Sequence, residues 1–375
     1  MRVLHVVPSF YPAACYGGPI YSVLKLCIGL TDLGCEVKVI TTDANGESRL
    51  TPKQQNDPLL RPLKIDFSRR IGKGMLAPSL AGRVLTESRW ADVIHLTAVY
   101  NFATWPTLLA ARMNNKPLVW SPRGTLQRWS GSRRLWHKTA WESLCRAVMP
   151  QQLTLHCTSE VEAKESASRL GCPRTFVAPN GIDIPPLPAA PPSNGVLKLL
   201  FVGRLDAKKG IENLIASTSQ FAALGIDRRH LKIVGNGDRS YVDELRRHAS
   251  AAGQSDHVEF CGHYSGEKKY EAYSESDLVV VPSHTENFGI VVAEALAHSR
   301  PVVVSRGTPW SEVEARNCGR WVENDPASLA EAIRDVSTRD RIAMGKLGRG
   351  WMIEAFSWEE QTRRMLGLYQ QVLST

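Results

Sequence analysis

The feature that most constrains this chain is a proline-rich break, IDIPPLPAAPPSNG (182–195), set between two stretches of alternating strand-like and helix-like sequence. Proline removes a backbone donor and clashes inside a helix, so neither a helix nor a central strand accepts this segment, and it reads as a linker. Before it come the β-branched runs RVLHVV (2–7), EVKVIT (36–41), DVIHL (92–96), PLVWS (117–121), LTLHC (153–157) and RTFVA (174–178). After it the pattern restarts with LKLLFVG (197–203), HLKIVG (230–235), HVEFCG (257–262), LVVVPS (278–283) and PVVVS (301–305). Strands alternating with helices build βαβ units, whose parallel sheets are covered on both faces. The expected fold is therefore α/β, with two doubly wound, Rossmann-like parallel-sheet domains facing a cleft. The expected boundaries are a first domain 1–183, a linker 184–196, a second domain 197–355 and a carboxyl-terminal helix 356–375 that crosses back to the first domain. A length of 375 residues exceeds one ordinary core and agrees with two.

Composition excludes several classes. The opening apolar run ends at Pro8, too soon for a secretory segment, and no stretch approaches the ~18 apolar residues of a spanning helix. The eight cysteines form no CxxC pair and no Cys/His cluster at ligand spacing, so they read as reduced thiols in a cytoplasmic protein. The net charge of +9 is unevenly placed. Residues 1–195 carry 23 Lys+Arg against 13 Asp+Glu, a net +10, whereas residues 196–375 carry 23 against 24, a net −1. Such asymmetry points to an amino-terminal half that meets an anionic surface.

Doubly wound sheets bind ligands beyond the carboxyl ends of their strands, so the chemistry is sought in the loops found there. The run LKLLFVG leads into GRLDAKKG, which places Arg204 and Lys209 in a turn; two such cations suit a phosphate or are solvated surface charges. The next run ends in GNGD, where Gly235 and Gly237 allow a close backbone approach to an anion or form a plain turn. LVVVPS leads into ENFGIVVAE, with Glu286 in the loop and Glu294 inside an apolar helix. Backbone N–H groups at Phe288, Gly289 and Ile290 would face a ligand with the positive end of the helix dipole behind them. Glu294 leans back toward that end, so two acids flank a patch of donors. A ligand with hydroxyls at both ends and a phosphate between fits this pattern. The competing reading has Glu286 cap the helix and Glu294 accept from neighbouring amides.

These residues resemble a family. GRLDAKKG, GNGD and the Glu-x7-Glu block look like the carboxyl-terminal domain of family 4 retaining glycosyltransferases with the GT-B fold, and the similarity extends over nearly the whole chain. GGP with Gly17 and Gly18 is similar to the family's first loop, PNGID (179–183) to its entry into the linker, and GTPWSEVEARNCG (307–319) to a subgroup that builds bacterial surface polysaccharides. The resemblance implies that Arg204 and Lys209 hold the diphosphate of a nucleotide-sugar, with a UDP- or GDP-sugar favoured, and that Glu294 takes the ribose hydroxyls. It implies that Glu286, Asn287, Phe288, Gly289 and Ile290 line the sugar site, that His263 lies beside the base, and that Gly18 closes on the donor. Arg204, Lys209 and Glu286 would form the catalytic set. No Asp-x-Asp occurs, and Arg204 and Lys209 would supply the neutralising charge, so neither a metal nor a cofactor is expected. Nucleotide-sugar epimerases of the same fold and a sugar-binding module without chemistry are the rival readings.

On the acceptor side, many relatives carry a histidine after the strand that corresponds to PLVWS, whereas this chain has Arg123. An arginine cannot act as a base, so Arg123 is read as an anion contact and deprotonation falls to the leaving phosphate or another group. His95 is a nearby candidate, with a satisfied core histidine as its alternative. The stretch RGTLQRWSGSRRLWHKTAWESLCRAVMP interleaves Trp129, Trp136 and Trp141 with Arg128, Arg133, Arg134 and Lys138, and SRRIGKG (68–74) adds a second basic run. Such a helix docks on an anionic inner leaflet, where a lipid-linked acceptor would sit, or is a solvated helix whose tryptophans are core. No nucleic-acid module is visible, and none is expected as a partner. The chain is thus expected to be cytoplasmic and peripheral on the inner face of the plasma membrane, transferring a sugar to a lipid-linked or oligosaccharide acceptor. Beyond that second basic run, the loops 44–60 and 68–90, where the identity of the acceptor is hidden, carry no physical reading from the sequence.

Overall fold

The computed structural model describes residues 1–72, 76–127, 135–187 and 195–374, which fall into two compact units. The first comprises Met1–Gly181 with Trp358–Thr375, the second Ile182–Ser357. Residues 182–187 go with the second unit, while 188–194, most of the expected linker, lie outside the described residues. The helix Trp358–Leu373 belongs to the first unit, where it packs on the helix Gly18–Asp32. Gly29 lies so near Thr362 that an added methyl group would press on its side chain.

The first unit holds strands β1 (Arg2–Val6), β2 (Glu36–Thr42), a small hairpin of β3 (Ala44–Asn45) and β4 (Ser48–Arg49), then β5 (Lys64–Ser68), β6 (Val93–Thr97), β7 (Leu118–Ser121), β8 (Leu153–Cys157) and β9 (Thr175–Val177). All but the hairpin form one parallel sheet in the order β5-β2-β1-β6-β7-β8-β9. Side chains alternate across the pleat, so neighbours along a strand enter different cores. Val3 and Val119 join Leu24, Met365 and Tyr369 on one face; Leu4, Leu118 and Trp120 join Leu80 and Leu108 on the other.

The second unit repeats the plan with β10 (Leu197–Val202), β11 (Arg229–Val234), β12 (Val258–Gly262), β13 (Leu278–Val281), β14 (Val302–Ser305) and β15 (Gly319–Val322), in the order β12-β11-β10-β13-β14-β15 and parallel throughout. Leu199 and Phe201 pack with Ile211 and Ile333, while Leu200 packs with Val292 and Trp351 beneath the opposite face. Each such side chain contributes about 1.5–3 kcal/mol when fully buried. The strand order reverses at β1, between β2 and β6, and at β10, between β11 and β13. At a reversal the loops leave the sheet on opposite sides and open a crevice, so the loops after β10 and β13 are where a ligand fits in the second unit.

Candidate active site

Beyond β10, Leu205 N–H bonds Asn236 O at 2.9 Å and Asp206 caps a short turn by accepting from Lys208 N–H at 2.9 Å. That turn ends at Gly210, whose φ of 60° and close approach to Pro282 O leave no room for a side chain. His284 N–H bonds Lys208 O at 2.9 Å, so the loops after β10 and β13 are joined through their backbones. Lys209 Nζ then donates to Glu286 Oε1 across the reversal, and Ser283 Oγ donates to the same oxygen at 2.8 Å. Oε2 of Glu286 has no partner among the described residues. The carboxylate is mostly buried, at 13% side-chain exposure, so it is anchored by one oxygen and presents the other. Arg204 is exposed, with no ion pair among the described residues. Burial pulls the neighbouring Lys208 ammonium below its ordinary pKa, against the opposing attraction of Glu286.

Gly289, at φ 74°, precedes the helix Ile290–Ala297 and caps it with no side chain. The N–H groups of Phe288, Gly289 and Ile290 have no partner among the described residues. The Phe288 ring is buried against Trp310, whose Nε1–H donates to Phe288 O at 2.5 Å, so this residue offers only its backbone. Asn287 lies in the same loop, half-buried.

Glu294 is met by two groups that the sequence reading did not name. Lys269 Nζ donates to Oε1 at 2.5 Å and Tyr273 Oη to Oε2 at 2.7 Å. Both stand on the helix Gly266–Glu275, four residues apart and so on one face. Burial, reinforced by Glu294, raises the Tyr273 phenol well above its usual pKa and keeps it a donor. That i, i+4 spacing in GEKKYEAYSE was visible; its meeting with Glu294 depends on how two helices pack.

Gly235 and Gly237 lie against the loop after β10. A Cβ on either would collide with the carbonyl of Gly203 or Leu205, so both positions require glycine for backbone packing. The helix that follows is capped by Asp238, which accepts from Ser240 N–H at 3.0 Å. His263 is exposed just beyond β12, the edge strand two places from β10.

In the first unit, Gly17 (φ 83°) and Gly18 begin the helix after β1, with open space where side chains would project. His95 is fully buried, and both ring nitrogens are bonded: Nδ1 to Tyr369 Oη at 2.5 Å and Nε2 to Ser121 Oγ at 2.6 Å. Ser121 Oγ also meets His156 Nδ1 at 2.7 Å, and His156 Nε2 meets Ala178 O at 3.0 Å. A carbonyl only accepts, which fixes every proton in the chain. His156 donates to Ala178, Ser121 to His156, His95 to Ser121 and Tyr369 to His95. His5, stacked on His95 at 4.3 Å, meets Thr97 Oγ1 at 2.9 Å. Burial, with Arg123 nearby, brings the His5 and His156 rings down to about 3. Arg123 has a left-handed backbone (φ 55°) and donates from Nη1 to Asn180 Oδ1, while burial pulls its guanidinium down against the attraction of Glu162.

In the aromatic stretch, Trp141 Nε1–H donates to Val99 O at 3.0 Å and is partly buried, whereas Trp136 is 72% exposed. Residues 128–134, with Arg128, Trp129, Arg133 and Arg134, lie outside the described residues, as do 73–75 of the second basic run.

The family model described as glycosyl transferases group 1 matches residues 188–358, and the model glycosyltransferase family 4 matches residues 16–184. An uncharacterised glycosyltransferase of Methanocaldococcus jannaschii is 33% identical over 181 residues, 46% of this chain and 44% of that one; the match thus spans under half that relative's length. A glycogen synthase of Mycobacterium tuberculosis is 25% identical over 396 residues, covering 96% of this chain and 92% of its own. Among solved structures, Anabaena HepE in complex with UDP superposes with a TM-score of 0.76 at 18% identity, over 99% of this chain and all of its own, which establishes the GT-B fold.

Proposed function

We infer the reaction from one premise: the chain is a glycosyltransferase of the family 4 and group 1 type, whose models match it half by half. It moves a sugar from a UDP- or GDP-sugar to a hydroxyl of a lipid-linked or oligosaccharide acceptor, with retention at the anomeric carbon and without a metal. Its products belong to exopolysaccharide, O-antigen or other envelope polysaccharide assembly. The observation that carries this reading is Glu286, bonded by Lys209 and Ser283 through one oxygen, in a loop at a sheet reversal that also holds Arg204 and the N–H groups of Phe288, Gly289 and Ile290, all without partners among the described residues. The UDP complex of the HepE neighbour supports a nucleotide-bearing donor.

In the reaction the bond from the anomeric carbon to the diphosphate breaks and a bond to the acceptor oxygen forms on the same face. The acceptor proton passes to the leaving phosphate oxygen. Negative charge grows on the diphosphate, and fixed donors aimed there are commonly the largest catalytic contribution. Arg204, Lys209 and the N–H groups of Phe288, Gly289 and Ile290 supply them. Glu286 Oε2 accepts from a sugar hydroxyl and favours positive charge on the ring. Glu294, with each oxygen taken once, retains a lone pair on both for the two ribose hydroxyls. The basic first half holds the chain on the inner face of the plasma membrane, beside a lipid-linked acceptor.

Thermal melting with UDP and GDP tests the assignment. A ligand at 100 times its Kd stabilises by about 2.7 kcal/mol, enough to raise the melting temperature visibly. One nucleotide should shift the wild type and leave Arg204→Ala unmoved. No shift by either nucleotide, or equal shifts in both proteins, overturns the donor site.

A further inference from the structure

The hairpin of β3 and β4, in a loop left unread in the sequence, and the segment after β5, part of the second basic run, meet in a cavity of about 750 Å³ on the first unit. It lies past the carboxyl ends of β2 and β5, the edge of the sheet where ligands bind. Its walls include Ser48, Arg49, Arg69, Arg70 and Ser79, with Glu47 as the one acid. Arg70 is the staple of this wall. It is 5% exposed, and it donates to Gly46 O at 2.7 Å and Glu47 O at 2.6 Å, while its backbone N–H bonds Asp43 Oδ1 at 2.9 Å. A solvated charge run needs no such buried brace; here the brace fixes the hairpin that presents Arg49. Arg49 stands 3.7 Å from Asp43 Oδ2, too long for a hydrogen bond, and its side chain is 45% exposed. Arg69 is exposed and has no ion pair among the described residues. The helix Pro78–Trp90 starts at the cavity, and its N-cap Ala77 provides no side-chain acceptor.

We propose that this cavity binds an anionic group, phosphate or carboxylate, carried by the sugar acceptor. The proposal rests on the glycosyltransferase reading for the word acceptor; the anion site itself does not. Guanidinium forks match the paired oxygens of both groups, and Ser48 and Ser79 add neutral donors. A cavity of this size falls within the ~300–1,000 Å³ of small-molecule sites, leaving room for a sugar ring beside the anion. Glu47 and Asp43 lower the positive charge without cancelling three arginines.

The test uses the full chain carrying Arg204→Ala, in which the donor diphosphate site is silenced, and titrates it calorimetrically with inorganic pyrophosphate and, separately, with glucuronate. One of the two should bind at one equivalent. Adding Arg49→Ser and Arg69→Ser should weaken it at least tenfold with the melting temperature unchanged, since both side chains are exposed. Arg69→Glu alone is the second variant and should weaken binding likewise. Binding of pyrophosphate alone assigns a phosphate, and binding of glucuronate alone a carboxylate. Failure of both probes to bind, or binding indifferent to these substitutions, overturns the site. UDP binding by the wild type is followed in parallel, so a failed donor reading and a failed anion site give different results.

Discussion

An acid inside an apolar helix must be held, because an unpaired charge in such surroundings costs several kcal/mol. Glu294 is held twice over, by Lys269 and Tyr273 on a neighbouring helix. The sequence showed where Glu294 would sit and which way it would lean, since both follow from helix geometry. It did not show these partners, because a meeting between helices belongs to packing. Glu286 differs in kind, since both of its bonds converge on one oxygen. The two acids therefore fail differently when neutralised. Glu294→Gln should raise the KM for the donor about tenfold or more, the scale of one charge-assisted hydrogen bond, while Glu286→Gln should lower kcat with little effect on KM. Steady-state kinetics on both variants decides this, and wild-type turnover by both would remove the site.

At the level of elements, the interior strands were legible from their apolar runs, and β8 matches its run LTLHC residue for residue. The strands β5 and β15 were not. Both close the edges of their sheets, where one flank is open and residues such as Lys64, Asp66 and Arg320 are tolerated, so KIDFS and GRWV lack the apolar signature. Gly235 and Gly237 were read as a turn or a phosphate cradle, and close backbone approach is what they provide, toward Gly203 and Leu205. The aromatic helix divides by contact: Trp141 bonds back to Val99, whereas Trp136 is exposed on the same helix, Leu135–Val148, as Leu144 and Arg146. The helix Thr104–Met113, packed beside it, exposes Leu109, Met113 and Arg112. Apolar and basic side chains together suit an anionic lipid interface, at about 1 kcal/mol for each basic residue near the surface. Sedimentation with vesicles should then show binding to anionic but not neutral lipid, and loss of much of it in a Trp136→Ser, Met113→Ser variant. Equal binding to both vesicle types would contradict it.

For the whole molecule, the buried histidines make acid stability weigh most on the first unit, which holds His5, His95 and His156, whereas His298, also buried and lowered by burial, is in the second. His5 and His156 are neutral in the fold, with ring pKa values near 3, against about 6.5 unfolded. Above pH 6.5 neither state is protonated and stability is flat. Between 6.5 and 3 the unfolded chain takes up protons that the folded rings refuse, so stability falls as the pH falls, by about 1.4 kcal/mol per pH unit for each ring. His95, held far below its usual value by burial, acts in the same direction. Melting followed from pH 7 to 4 should show the first unit's transition moving down steeply and the second unit's much less; parallel shifts would contradict this. Tyr369, which anchors that histidine chain, stands on a helix whose codons follow those of the whole second unit. On the ribosome, then, the amino-terminal sheet emerges first, yet the unit built on it is completed last: its buried Tyr369–His95 bond cannot form until every residue of the second unit has been translated.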